Sequence, residues 1–142
     1  MIEFHTDDVP MPILEERLLK RWIKDVARQY GKETGDLHYI FCSDQRITEV
    51  NISFLNHTYA TDIITFDYGL ADQISGDLYI GLETVYSNAM ERTLSKNEEL
   101  LRVLIHGVLH LCGFGDKTEE AAALMRKRED NALNLLHLMK QE

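Results

Sequence analysis

The segment from Ser95 to Leu111 constrains the fold most, because apolar residues cover nearly every side of the helix that it predicts. Ser95 followed by Glu98 is a capping-box pattern, so the helix is expected to begin after Ser95, and Gly113 and Gly115 are expected to end it. A helix that is apolar all round is usually buried. We therefore predict that the rest of the chain surrounds this helix. Its apolar residues are Leu100, Leu101, Val103, Leu104, Ile105, Val108, Leu109 and Leu111.

The remaining hydrophobic patterns predict strands interspersed with helices. The expected strands cover residues 1–5, 37–43, 61–68 and 76–82, and the expected helices cover residues 12–30, 46–56, 83–90 and 119–139. The chain of 142 residues has no internal repeats and no Gly/Ser linkers. We therefore expect one domain over residues 1–142, with a compact layered α/β or α+β fold.

Charge and composition exclude some classes of protein. The net charge of −9 argues against a general nucleic-acid coat, although basic residues cluster in the predicted helices at 12–30 and 119–139. The N-terminus has no signal-peptide pattern, and no run approaches the roughly 18 apolar residues that span a bilayer. These features favour a cytoplasmic protein without a membrane segment. Cys42 and Cys112 both lie in apolar runs, which predicts reduced, buried thiols.

The central helix also carries the strongest chemical signal, His106 and His110. Residues four apart share one face of a helix, so both imidazoles can reach a common point. Gly113 allows the chain to turn back after the helix, which brings Asp116 toward the same point. Two nitrogens and one carboxylate oxygen suit Zn²⁺ and leave a fourth position for water. We therefore predict a hydrolytic zinc site at His106, His110 and Asp116.

The residue after the first histidine argues against a peptidase. The spacing of the ligands matches that of metzincin proteases, except that the third position is Asp. Zincin proteases place a Glu directly after the first His as the general base, and here that residue is Gly107. Peptide hydrolysis is therefore disfavoured, and no catalytic base is assigned.

Three segments together resemble one known family. They are HGVLHLCGFGDK at residues 106–117, Asn51 followed by TDIITF at residues 61–66, and GDLYI at residues 76–80. In order and spacing they are similar to the YbeY family of metal-dependent endoribonucleases, which are associated with ribosomal RNA maturation and ribosome quality control. The resemblance implies a small, mostly parallel sheet of about four strands with several helices around the metal helix. It also implies a cleft for single-stranded RNA and places two metal ligands at His106 and His110.

The sequence departs from the family pattern at two positions. The third family ligand is a His, and here Asp116 stands in its place, so the metal preference could shift toward a harder ion such as Mn²⁺. Alternatively, Asp116 contacts a metal-bound water instead of the metal. The family usually has an Arg four residues after Asn51, where this chain has Leu55. His57 lies nearby and is a candidate for contacting substrate.

Two functional hypotheses follow. The first is a zinc-dependent endoribonuclease that cleaves single-stranded ribosomal RNA, with RNA as its partner and the ribosome or ribosomal proteins as further candidate partners. The second is a ribosome- or RNA-associated binding protein with a closed, structural zinc site. Structural sites normally have four protein ligands, for which His5, His38, His57 or Cys112 would have to supply the fourth. The cleavage site, the cellular metal and the oligomeric state are left open by the sequence.

Overall fold

Strands and helices alternate through most of the computed structural model, which describes residues 1–142. This order agrees with the one expected from the sequence. The elements are β1 (Ile2–Thr6), α1 (Glu16–Gln29), β2 (Glu33–Cys42), α2 (Asp44–Leu55), β3 (Ile63–Asp67), β4 (Gln73–Gly81), α3 (Leu82–Glu91), α4 (Lys96–Leu111) and α5 (Glu119–Lys140).

The four strands form one mixed sheet in the order β1-β2-β4-β3. β1 runs parallel to β2 and β2 runs parallel to β4, whereas β3 is antiparallel to β4. The expected α/β fold with a small, mostly parallel sheet is therefore confirmed. β1 and β3 are the edge strands of this sheet.

Helix α4 is buried at the centre, as its composition predicts. Its N-cap is Ser95, whose Oγ accepts a hydrogen bond from the backbone N–H of Glu98 at 3.0 Å. Tyr39 on β2 donates a hydrogen bond from its buried hydroxyl to the Leu104 carbonyl at 2.9 Å, which ties α4 to the sheet. After the helix, Gly113 adopts φ 108°, a conformation that favours glycine. The chain turns there and leads toward Asp116.

Gly107 lets α4 lie directly against the sheet. A Cβ added at this position would lie 2.5 Å from Cδ2 of Leu78 and 2.8 Å from Cδ1 of Ile63. Leu78 is fully buried and the partly buried Ile63 packs against the same core, so neither can move away freely. Gly107, which stands where zincin proteases have their Glu, therefore allows α4 to pack closely against the sheet.

We expect Gly107→Ala to lower the free energy of unfolding by about 1–3 kcal/mol, because the added methyl overpacks the interface between α4 and the sheet. Urea denaturation measures this change. Gly115→Ala is the matched control, since a Cβ at Gly115 meets nothing within 4 Å. Equal stability of the two variants would contradict this account of Gly107.

α1 and β2 differ most from the expected boundaries. α1 begins at Glu16 rather than at residue 12, and Ile13, which was expected on its apolar face, is 99% exposed. β2 begins at Glu33 rather than at residue 37, because its first residues pair with Gln73 and Ile74 of β4. Such pairing depends on a distant strand, which the local sequence does not show. None of the helices combines the length and the apolarity needed to cross a membrane.

Both cysteines are free, with Cys42 buried and Cys112 half-buried. Burial raises the pKa of Cys42 to about 12 and that of Cys112 to about 11. A higher pKa leaves less thiolate, the reactive form.

At pH 8 we expect the folded protein to react with iodoacetamide at least about 100-fold more slowly than the unfolded chain, with Cys112 modified before Cys42. Peptide mass spectrometry over time measures both rates, and rapid modification of Cys42 in folded protein would contradict the expectation.

Candidate metal centre

His106 lies between two carboxylates at the C-terminal half of α4. Its Nε2 is 3.4 Å from Oδ2 of Asp116, and its Nδ1 is 2.7 Å from Oε2 of Glu129 on α5. A carboxylate only accepts hydrogen bonds, so Nδ1 donates a proton to Glu129. This hydrogen bond is the main reason that the pKa of His106 is raised above its ordinary value, and burial acts in the opposite direction. The arrangement directs Nε2 toward Asp116.

His110 lies one turn further along α4 and is exposed. Its ring is nearly parallel to that of His106, with ring centres 6.5 Å apart and planes inclined by 11°. The ligand atoms of His106, His110 and Asp116 do not all lie within 4.8 Å of one another. The structure thus brings His106 and Asp116 together, and a shared ion would require the His110 side chain to move toward them.

The residues present fit a zinc ion chemically. Two ligand atoms at about 2.0–2.1 Å from a tetrahedral ion are separated by about 3.3 Å, which is close to the 3.4 Å between His106 and Asp116. The Nδ1–H of a metal-binding histidine commonly donates to a carboxylate, as His106 does to Glu129. His110 offers a second nitrogen on the same side of the helix. With His110 included, the donors would be two imidazoles and one carboxylate, and this ligand set stays a prediction.

Arg102 connects this centre to α5. Its Nη1 donates to Oε1 of Glu129 at 2.9 Å, and its Nη2 donates to Oδ1 of Asp130 at 2.7 Å. Both oxygens of the buried Glu129 are thereby occupied, one by Arg102 and the other by His106. This network fixes the orientation of the His106 ring.

A cavity of about 370 Å³ opens beside His106. Four carboxylates and three guanidinium groups line it together with His106 and three apolar side chains. The charged lining residues are Asp62, Glu99, Asp116, Glu129, Arg92, Arg102 and Arg126. The four carboxylates exceed the three guanidinium groups by one, so a bound divalent cation would make these side chains and the ion net positive together, which favours an anionic ligand.

Two of the arginines are held by buried acids. Glu99 is only 1% exposed, and its Oε1 accepts a hydrogen bond from Nη1 of Arg92 at 2.8 Å. The other carboxylate oxygen of Glu99 has no hydrogen-bond partner within the protein. Arg102 is held by Glu129, whereas Arg126 forms no ion pair. Arg126 is therefore the cation of the cavity most available to an incoming anion.

The other candidate residues lie elsewhere. His57 is exposed after the end of α2, where its ring stacks on Tyr59 with centres 5.3 Å apart, and it does not line the cavity. Leu55 is the last residue of α2 and is 44% exposed. His5 and His38 contact each other on the sheet, and neither they nor Cys112 line the cavity. Nothing in the structure brings these residues to His106 as a fourth ligand.

Sequence reasoning missed Glu99, Arg102, Glu129 and the role of the arginines in the cavity. Glu99 and Arg102 carried a readable signal, because with His106 they occupy positions i, i+3 and i+7 of a helix that is otherwise apolar. This spacing marks one polar stripe along α4. Glu129 gave no such signal, since it comes from a separate amphipathic helix.

Comparisons with known proteins agree with the resemblance in the sequence. The family model described as endoribonuclease YbeY matches residues 1–137. A protein named endoribonuclease YbeY from Phocaeicola vulgatus is 50% identical over 138 residues, covering 97% of this chain and 100% of the relative. Its namesake from Parabacteroides distasonis is 49% identical over 135 residues, covering 95% of each chain.

The fold is also similar to a solved structure. The solution structure of TM1509 from Thermotoga maritima superposes with a TM-score of 0.61 at 26% sequence identity, and the match covers 96% of this chain and 92% of that one. The sequence match extends over nearly the whole length and includes the helix that carries His106 and His110. This chain therefore belongs to the YbeY endoribonuclease family.

Proposed function

We propose that this protein is a metal-dependent endoribonuclease that cleaves single-stranded RNA during ribosomal RNA maturation and quality control. The observation that carries the proposal is the cavity beside His106. Its lining combines three guanidinium groups with His106 and Asp116, whose ligand atoms lie 3.4 Å apart, as two ligands of one zinc ion would. Family membership supplies the reaction class, and the names of the relatives supply RNA as the substrate.

His106, His110 and Asp116 would hold the ion, with zinc as the first candidate and Mn²⁺ as the alternative that the Asp116 carboxylate allows. When bound, such an ion polarises a phosphoryl oxygen and lowers the pKa of its water. Glu129 holds the proton of His106 on Nδ1 and leaves Nε2 available to the ion. Glu99 and Glu129 fix Arg92 and Arg102 in the cavity. The cavity thus offers positioned donors to the oxygens of a phosphate.

Arg126 compensates for the family arginine that Leu55 replaces. It lines the cavity, it is exposed, and no carboxylate of the chain pairs with it. Arginine recognises phosphate oxygens with paired N–H donors, and α5 places this guanidinium in the lining of the cavity together with Asp62 and Arg92. We infer that Arg126 contacts the RNA backbone. His57 remains a candidate for a more distant contact with the RNA.

Arg126→Ala is expected to weaken binding of a single-stranded RNA oligonucleotide by about 10-fold. The slope of log K against log salt should also become less steep by about one, the change that loss of one phosphate contact produces. Fluorescence anisotropy at several salt concentrations measures both quantities. Lys127→Ala is the matched control, since it removes the same charge from the next residue, which does not line the cavity. Equal effects of the two variants would show that only the overall charge matters.

The function itself is tested by incubating the protein with unstructured RNA of ribosomal sequence, first after treatment with a chelator and then with Zn²⁺ or Mn²⁺ restored. Cleavage is expected to disappear with the chelator and to return with the metal. His110→Ala should not respond to added metal, because it lacks one nitrogen ligand. Full cleavage in the presence of chelator, or by His110→Ala, would overturn the proposal. Metal binding without any cleavage would favour the binding-protein hypothesis.

A further inference from the structure

Three side chains on the outer face of the sheet form a cluster that the candidate metal centre does not use. Along β1, Ile2 and Phe4 are buried in the core, so Glu3 and His5 project from the opposite face. His38 on β2 is the register partner of Glu3. The three side chains are between 36% and 47% exposed, and their rings and carboxylate meet above the strands.

The distances between their ligand atoms have the pattern of a metal site. Nε2 of His5 is 3.3 Å from Nδ1 of His38, and Oε1 of Glu3 is 3.2 Å from Nδ1 of His38 and 3.7 Å from Nε2 of His5. The ligands of a tetrahedral zinc ion lie about 3.3 Å apart, given bonds of about 2.0–2.1 Å. One oxygen and two nitrogens thus occupy three corners of a nearly regular tetrahedron.

The positions are fixed by the backbone. Glu3 and His5 are two residues apart on one strand, and parallel pairing holds His38 beside Glu3. The Glu3 carboxylate lies within 4 Å of one ring nitrogen of each histidine and forms no ion pair with a lysine or arginine. Little rearrangement is therefore needed to accept a cation, and no competing positive charge has to be displaced.

We propose that Glu3, His5 and His38 form a second divalent-cation site, separate from the centre on α4 and independent of the proposed nuclease activity. Two imidazoles and one carboxylate select borderline ions such as Zn²⁺, Ni²⁺ and Co²⁺ over Mg²⁺, which prefers oxygen ligands. The fourth position is open to solvent. Because β1 is an edge strand, an ion bound here fastens that edge to β2 and stabilises the folded chain.

The site is tested by calorimetric titration of chelator-treated protein with Zn²⁺. His38→Gln is expected to bind one ion fewer than the wild type, and so is His5→Gln, because each loses a nitrogen ligand. His137→Gln is the matched control, since this exposed histidine lies on α5 away from both sites. The double variant with His106→Ala and His38→Gln lacks one ligand of each site, so comparing its number of bound ions with that of each single variant assigns each ion to one site. If the α4 centre binds no metal, the wild type binds one ion and His38→Gln binds none.

Thermal unfolding gives an independent readout. With Ni²⁺ at about 100 times its dissociation constant, we expect the midpoint of His106→Ala to rise by about 5–10 °C. The same ion should leave the double variant unchanged, and Mg²⁺ should leave both unchanged. Wild-type stoichiometry in His5→Gln and His38→Gln, or an equal shift with Mg²⁺, would overturn the proposal.

Discussion

His106→Ala is expected to lower the rate of metal-dependent RNA cleavage by about 1,000-fold or more. The substitution removes the one side chain that contacts both Asp116 and Glu129. Lewis-acid catalysis supplies several kcal/mol of transition-state stabilisation, and each 1.36 kcal/mol corresponds to about a factor of ten in rate. Single-turnover cleavage of an RNA oligonucleotide at saturating protein concentration measures the effect.

The same variant should remain folded. His106 is only partly buried, and after its removal Glu129 keeps its ion pair with Arg102. Circular dichroism and urea denaturation are therefore expected to show a small loss of stability beside the large loss of activity. His137→Ala, on the exposed face of α5, serves as the control for removing a histidine. Cleavage by His106→Ala at a rate within about tenfold of the wild type would show that the reaction does not depend on this centre.

The fold could be predicted largely because its elements are encoded locally. The apolar residues of α4 recur on all sides of a helix, and Ser95 caps that helix as its spacing with Glu98 indicates. The start of β2 was missed for the opposite reason. Residues 33–36 include a glycine and an aspartate, which disfavour strands, and their pairing partners lie about 40 residues away on β4. Tertiary contacts decide that boundary.

The same distinction applies to the candidate metal centre. His106 and His110 are visible in the sequence because a helix relates residues four apart in a fixed way. Glu129 follows His106 by 23 residues on another helix, and only the packing of α5 against α4 brings it to 2.7 Å from the ring. Arg92 reaches the cavity from the turn after α3. Such residues are found from the structure, because no sequence spacing relates them to the histidines.

The second large effect is expected for Glu129→Ala. This carboxylate is 6% exposed and is shared by His106 and Arg102, so its removal leaves a half-buried guanidinium without one of its two partners. Breaking a buried ion pair costs about 3–5 kcal/mol, and because Asp130 still holds Arg102 we expect a loss of about 3 kcal/mol. Urea denaturation measures the change. Asp130→Asn is the control, since Asp130 is 54% exposed and its loss should cost less than about 1 kcal/mol.

A role in positioning His106 predicts a further effect that a purely structural residue would not show. Without the Glu129 carboxylate, the His106 ring loses the acceptor that keeps its proton on Nδ1, so Zn²⁺ affinity is expected to fall by about 10–100-fold. Competition with a chromophoric chelator measures this affinity on folded protein. Glu129→Gln retains one acceptor oxygen and is expected to fall between the wild type and Glu129→Ala. Unchanged zinc affinity in Glu129→Ala, together with reduced stability, would assign Glu129 to the packing of α5 alone.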